Sequence, residues 1–201
     1  MRIVVLSHVT LDGVMQGPGR PDEDTRDGFT NGGWAAPRSD DMIQQAWGER
    51  LTRSSGFLLG RRTYEGVLGY WNTQDSPFKA ALNQAPKYVA STGIPTLKWP
   101  NSTLLTGDVP AAVTGLKATE GNDLHIMGSG ALIRSLSAHG LIDEYLLSIH
   151  PIVLGDGRRL FADGFPPATF DLTHMATTST GVIIATLRSN RRPRESTNPV
   201  R

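Results

Sequence analysis

Short blocks of continuous apolar residues alternate along the chain with stretches in which apolar positions recur every three or four residues. Residues 2–9, Arg-Ile-Val-Val-Leu-Ser-His-Val, form a β-branched run suited to a strand buried on both faces. Gly56-Phe-Leu-Leu-Gly60, Lys87-Tyr-Val-Ala-Ser91, Ser102 to Leu105 and Asp123-Leu-His-Ile-Met127 predict further short strands. A helix is predicted from Ser39, with Ser39 or Asp40 as its N-cap and Ile43, Trp47 and Leu51 on one face. A second opens at Arg61 and runs to Leu68. A third is capped by Asp108, carries Pro110 in its first turn and presents Val109, Ala112, Val113 and Leu116 together. A fourth follows Gly128-Ser-Gly130 through Leu132, Ile133 and Leu136 and ends at His139-Gly140. Glu144 to His150 alternates, with Tyr145, Leu147 and Ile149 on one face. About Thr169–Thr177 and Val182–Leu187, joined by Ser179-Thr180-Gly181, read as an antiparallel hairpin. Strands alternating with helices before a final hairpin predict an α/β fold with a mixed, mostly parallel sheet covered on both faces.

Between the first strand and the first helix, Asp12 to Pro37 predicts a long loop with six glycines, three prolines and Asp22-Glu23-Asp24. A loop of this length inside a domain is usually functional, often a lid. At 201 residues the chain has room for one core, and no linker divides it, so residues 1–188 read as a single domain. The absence of cysteine excludes disulfides, thiolate metal sites and a catalytic Cys. The five histidines, at 8, 125, 139, 150 and 174, have no metal-ligand spacing. No apolar run spans a bilayer and the N-terminal run is too short for a signal peptide, so a cytoplasmic protein is expected. Residues 189–201 hold four arginines against one glutamate among Pro, Ser, Thr and Asn, and read as a disordered basic tail. The formal net charge is only +1, so the remainder is slightly acidic and nucleic acid is not an expected partner.

In a parallel sheet, ligands sit beyond the carboxyl ends of the strands, where helix N-termini offer unpaired N–H groups to anions. Three such ends carry suitable residues. Gly60-Arg61-Arg62-Thr63 combines a glycine for close backbone approach, two guanidiniums and a hydroxyl. Ser91-Thr92-Gly93 places two hydroxyls on a tight turn. Gly128-Ser129-Gly130-Ala131-Leu132 puts small residues at the mouth of a helix, as a diphosphate requires. Together they point to a dinucleotide with an additional phosphate that the arginines select. His8 closes the first strand at the same level, and Trp34 and Trp47 are candidates to line a pocket for a planar ring.

Gly60-Arg61-Arg62-Thr63-Tyr64-Glu65 resembles the Gly-Arg-x-Thr-aromatic-Glu segment of dihydrofolate reductases, and Ile126-Met127-Gly128-Ser129-Gly130 their Gly-Gly segment. The resemblance is closer to the reductase domain of riboflavin biosynthesis and its stand-alone relatives. Thr10-Leu11-Asp12-Gly13 is similar to that group's Ser-Leu-Asp-Gly. Leu141-Ile142-Asp143-Glu144, His150-Pro151-Ile152-Val153-Leu154-Gly155 and Leu160-Phe161 resemble its Leu-Val-Asp-Glu strand and Pro-x-x-x-Gly turn. The resemblance implies a three-layer α/β/α sandwich that binds NADPH. It would put Arg61, Arg62 and Thr63 on the adenosine phosphates, Ser91 and Thr92 near the 2′-phosphate and Gly128 to Leu132 on the diphosphate and nicotinamide ribose. Asp12 and Gly13 would lie beside the nicotinamide, with His8 near the cofactor. Dihydrofolate reductases carry an acid on the first helix after a Leu-Pro-Trp turn. Here the loop reads Gly17-Pro18-Gly19-Arg20-Pro21, and Asp40 and Asp41 stand earlier, where aspartates usually cap. Asp12 and Asp41 are the candidate catalytic carboxylates.

The expected activity is NADPH-dependent reduction of a pteridine-like or ribosylaminopyrimidine-like small molecule. The alternatives are an NADP(H)-binding protein without turnover and a true dihydrofolate reductase. A homodimer is expected through Glu144 to His150 and the following Pro151-Ile152-Val153-Leu154, read as an exposed apolar edge; relatives in the resembled group pair there.

Overall fold

β1, Ile3–Thr10, runs through the middle of the sheet because both of its faces are apolar. The computed structural model describes residues 1–74, 77–93 and 96–190, so all but the first two residues of the basic tail lie outside the described residues. The other strands are β2 (Ser54–Gly60), β3 (Lys87–Ala90), β4 (Ser102–Leu105), β5 (Asp123–Met127), β6 (Glu144–His150), β7 (Phe170–Thr177) and β8 (Ile183–Ser189). Their order across the sheet is β4-β3-β2-β5-β1-β6-β8-β7. Neighbours are parallel except that β8 runs antiparallel to both β6 and β7.

Helices cover both faces. On one, Ile3, Val5, Val9, Leu124, Ile126, Tyr145 and Leu147 pack on Val113 of α4 and on Leu132, Ile133 and Leu136 of α5. These helices span Val109–Ala118 and Gly130–Ala138. On the other face, Val4, Leu6, Leu146 and Ile184 meet Ile43, Trp47 and Leu51 of α1 (Asp41–Leu51). The same layer continues where Phe57, Leu59 and Val89 pack on Tyr64 of α2 (Arg61–Thr73) and Leu82 of α3 (Pro77–Gln84), with Leu51 and Met127 shared between the two clusters. The result is a three-layer α/β/α sandwich.

The structure departs from the sequence pattern in three places. The second helix continues past Leu68 to Thr73, because Tyr64 and Trp71 pack it down although Gly66 and Gly69 dilute its local signal. A further helix, α3, precedes β3, and its last carbonyls are met by a lysine outside it: buried Lys87 donates from Nζ to Leu82 O (2.5 Å) and Ala85 O (2.6 Å). Finally, β6 is not an edge. It pairs with β1 on one side and with β8 from Glu144 to Ile149 on the other, and Pro151 falls just beyond the last pairs, where it interrupts nothing. The terminal hairpin covers the edge expected there, and β7 becomes the edge on that side of the sheet.

The loop from residue 11 to 40 contains only two 3₁₀ turns, Arg26–Gly28 and Ala36–Arg38, yet it is packed. Val14, Phe29, Trp34 and Ala35 form a small core with Ile152 and Leu154. Buried Gln16 ties it internally, donating to Asp24 O and Arg26 O and accepting from Arg158 N. No helix among the described residues is long and apolar enough to cross a membrane.

Candidate functional site

β2 and β5 are neighbours, but the helices that follow them leave to opposite faces, α2 with α1 and α5 with α4. A crevice must open between two strand ends whose continuations diverge. It widens into a cleft of about 2050 Å³ along the carboxyl edge of the sheet. Gly60, Arg61, Arg62, Thr63, Ser91, Thr92, Gly128, Ser129, Gly130, Ala131 and Leu132 all line it, so the structure brings the three sequence segments together.

Two hydrogen bonds hold the mouths of α2 and α5 side by side. Gly60 N–H donates to Ser129 Oγ (2.9 Å) and Ser129 N–H to Thr63 Oγ1 (3.1 Å). The turn needs two successive left-handed residues, Gly128 (φ +59°) and Ser129 (φ +60°). Left-handed serine is strained by about 1–3 kcal/mol, and the two bonds supply what holds it. A Cβ on Gly128 would meet Thr63 Cγ2 and Oγ1 at 3.2 Å each in a left-handed backbone, so glycine is the residue that fits there without displacing Thr63. α1 and α4 are closed by Asp40, which accepts from Met42 N, and Asp108, which accepts from Ala111 N. α2 and α5 have no side-chain cap and no acid in the first turn. Two adjacent uncapped N-termini, arginines beside them and a glycine that admits no side chain fit a dinucleotide diphosphate. Arg61 also pairs with Glu65 along the helix (2.8 Å), whereas Arg62 beside it has no ion pair among the described residues.

The other end of the cleft is built differently. Leu6, Ser7 and His8 of β1, Ile43, Gln44 and Trp47 of α1, Met15, Met127 and His150 line it. Trp47 stacks on His8, ring centroids 4.7 Å apart at 26°, and its Nε1–H donates to Ser148 Oγ (3.2 Å). His8 Nδ1 lies 2.9 Å from His150 Nε2. Burial, then the neighbouring His150, pushes the His8 pKa down to about 3, and burial with Arg38 nearby takes His150 to about 4. Both imidazoles are uncharged at neutral pH. Farther along, the Arg20 guanidinium lies 3.8 Å over the Tyr70 ring, tying the loop to α2.

Neither candidate carboxylate lines the cleft. Asp12 Oδ1 accepts from Thr10 Oγ1 (2.6 Å) and Leu154 N–H (3.3 Å), and Oδ2 from Gly155 N–H (2.9 Å). The Thr10 hydroxyl, with the backbone donors, holds its pKa down at about 2, so Asp12 is an ionised clamp on the 150s loop and carries no proton to give. Asp41 is exposed on the first turn of α1, away from the cleft, while its neighbour Asp40 caps the helix and accepts from Ser179. Gly13 and Trp34 also stand outside the lining: Gly13 turns the chain at φ +80°, and Trp34 is buried in the loop core with Nε1–H on Gln16 O (2.8 Å). Trp34 touches the site only indirectly, through an edge contact with His150. The sequence reading passed over His150, Met15, Gln44 and Arg20. For His150 a signal existed: the alternation that puts Tyr145, Leu147 and Ile149 on one face puts Leu146, Ser148 and His150 on the other, and that face is buried too.

The family model described as the RibD C-terminal domain matches residues 2–184. Protein YyaP of Bacillus subtilis (strain 168), itself uncharacterized, is 27% identical over 188 residues, covering 90% of this chain and 92% of that protein. Among solved structures, a putative riboflavin biosynthesis protein from Shewanella sp. PV-4 is similar at TM-score 0.70 and 21% identity, over 95% of this chain and 100% of that one. Dihydrofolate reductase from Enterococcus faecalis, complexed with NADP(H), is similar at TM-score 0.59 and 12% identity, over 94% of this chain and 97% of the other. The sandwich is thus dihydrofolate reductase-like, and with a family match running from β1 into β8 the chain belongs to the RibD C-terminal domain family.

Proposed function

We propose that the protein is an NADPH-dependent reductase that passes a hydride to a small pteridine-like or ribosylaminopyrimidine-like acceptor. The observation that carries this reading is the pair of uncapped helix N-termini clamped mouth to mouth beside Arg62. Gly128 to Leu132 and Gly60 would hold the diphosphate, and Arg62, Ser91 and Thr92 the additional phosphate of the adenosine end. NADPH supplies the hydride when bound. The protein's task is then to hold the acceptor against Leu6, His8 and Trp47 and to exclude water. One observation favours binding without turnover: neither Asp12 nor Asp41 faces the cleft to donate a proton. A dihydrofolate reductase activity is disfavoured by the same fact.

Titration of the protein with NADPH and NADH tests the cofactor. Charge-assisted bonds contribute about 1.5–3 kcal/mol, so NADPH should bind roughly tenfold or more tightly than NADH. Arg62→Ala should remove most of that difference, and equal affinities in the unaltered protein would refute the assignment. NADPH oxidation with a panel of acceptors that includes dihydrofolate then separates a reductase from a binding protein.

A further inference from the structure

The two imidazoles at the acceptor end come from strands 142 residues apart in the chain. In the β1–β6 register His8 stands opposite Ser148 and Thr10 opposite His150, so both rings project on the α1 side of the sheet. His150 is fully buried, its edge contact is with Trp34, and its Nδ1 has no partner among the described residues. A hydrogen bond between two imidazole nitrogens requires one to carry the proton and the other to be bare. Every group packed around the pair is neutral except Arg38, which acts on His150 from the loop: α1 contributes Trp47, β6 contributes Ser148 and the loop core contributes Trp34. No carboxylate faces either ring among the described residues. The remaining nitrogen, His8 Nε2, has no protein partner there, and His8 lines the cleft.

This arrangement has a chemical consequence. The two neutral states of the pair differ in more than the shared proton: when His8 Nδ1–H donates to His150, Nε2 of His8 is bare and accepts, and when His150 Nε2–H donates to His8, Nε2 of His8 carries a proton taken from the cleft and donates, His150 Nδ1 having given up its own proton to solvent. The pair can therefore meet either polarity of an uncharged edge. It has no countercharge for a cationic one, which would lose its hydration on entry without compensation. Building on the reductase reading, we propose that His8, positioned by His150, is the hydrogen-bonding contact for the acceptor's polar edge, and that the pair selects an uncharged planar heterocycle over a cationic one.

The test uses lumazine as a neutral probe and 2,4-diaminopyrimidine, in mildly acidic buffer where it is protonated, as the charged one, each titrated calorimetrically into the full chain saturated with NADP⁺. Lumazine should bind at least about tenfold more tightly than the diaminopyrimidine. His8→Phe and His150→Phe should each weaken lumazine by about tenfold or more while the NADPH affinity stays within about threefold. His150 is buried, so His150→Gln and His8→Phe serve if His150→Phe does not fold. On the unaltered protein, ¹⁵N spectra should show the His8 Nε2 resonance moving when lumazine binds. Equal lumazine affinity in all variants, no lumazine binding by a protein that binds NADPH, or equal affinity for the cation would each overturn the proposal. Failure to bind NADPH with lumazine still bound through His8 would instead overturn the reductase reading and leave the imidazole contact standing.

Discussion

Three donors converge on the Asp12 carboxylate, Thr10 Oγ1 and the N–H groups of Leu154 and Gly155, and the Arg159 guanidinium forms an ion pair with it at 3.6 Å. Its chemistry is consumed in joining the end of β1 to the loop after β6. Asp12→Asn loses the charge and one acceptor, and should lower stability by about 1–3 kcal/mol without weakening NADPH binding. The pH dependence carries the sign. The folded pKa, about 2, lies below the ordinary 3.8, so the clamp's contribution is complete above about pH 4 and is lost as pH falls toward 2. Thermal unfolding of wild type and Asp12→Asn should differ most near neutrality and converge in acid. A gap that persists unchanged to pH 2 would contradict this account.

Among the helices, the division between capped and uncapped N-termini separates stability from binding. Asp40 closes α1 and also holds the β7–β8 turn through Ser179 N–H and Oγ. Asp40→Ala should therefore lower the melting temperature and leave the dinucleotide affinity alone. Gly128→Ala acts the other way. It places a Cβ against Thr63 in a left-handed backbone, so it should both destabilise by about 1–3 kcal/mol and weaken NADPH binding. Paired melting and NADPH titrations check both. If Gly128→Ala melts lower yet binds as wild type, the diphosphate does not sit at that turn.

Across the whole molecule, two buried histidines and the half-buried His8 contribute to the response to acid. His8 is held down to about 3, and His125 and His150 to about 4, each chiefly by burial. Unfolded, these rings titrate near about 6.5, so unfolding takes up protons and stability falls as pH drops from about 6.5 toward 4. His125→Phe, remote from the cleft and bonded to Ser54, should make that fall shallower in denaturant midpoints measured across the range. β7 is one of the two edges of the sheet, β4 being the other, and on β7 Leu172 and Met175 are 56% and 58% exposed. We expect a homodimer that covers this edge, not β6. Light scattering should give twice the 21.8 kDa chain mass, and Leu172→Glu with Met175→Glu should return it to one. A single-chain mass that does not change on concentrating would refute the dimer.

Much of this was legible along the chain. Continuous apolar runs located β1, β2 and β5, three of the six parallel strands, because burial on both faces leaves few polar positions to confuse the period. The aspartates capped the helices they precede, and glycines and arginines marked the strand ends, since backbone approach and phosphate pairing demand those residue types locally. What the sequence could not decide was anything that depends on who arrives from elsewhere. Asp12 looks like a free acid until the loop after β6 brings its donors. β6 looks like an edge until β8 returns to pair with it. α3 has its C-terminal carbonyls met by Lys87 in the strand that follows. His8 and His150 become a hydrogen-bonded pair only because β1 and β6 are neighbours in one register. Local periodicity sets which face a side chain leaves by. Only the packed sheet sets which side chain it meets there, and burial among those neighbours decides its charge.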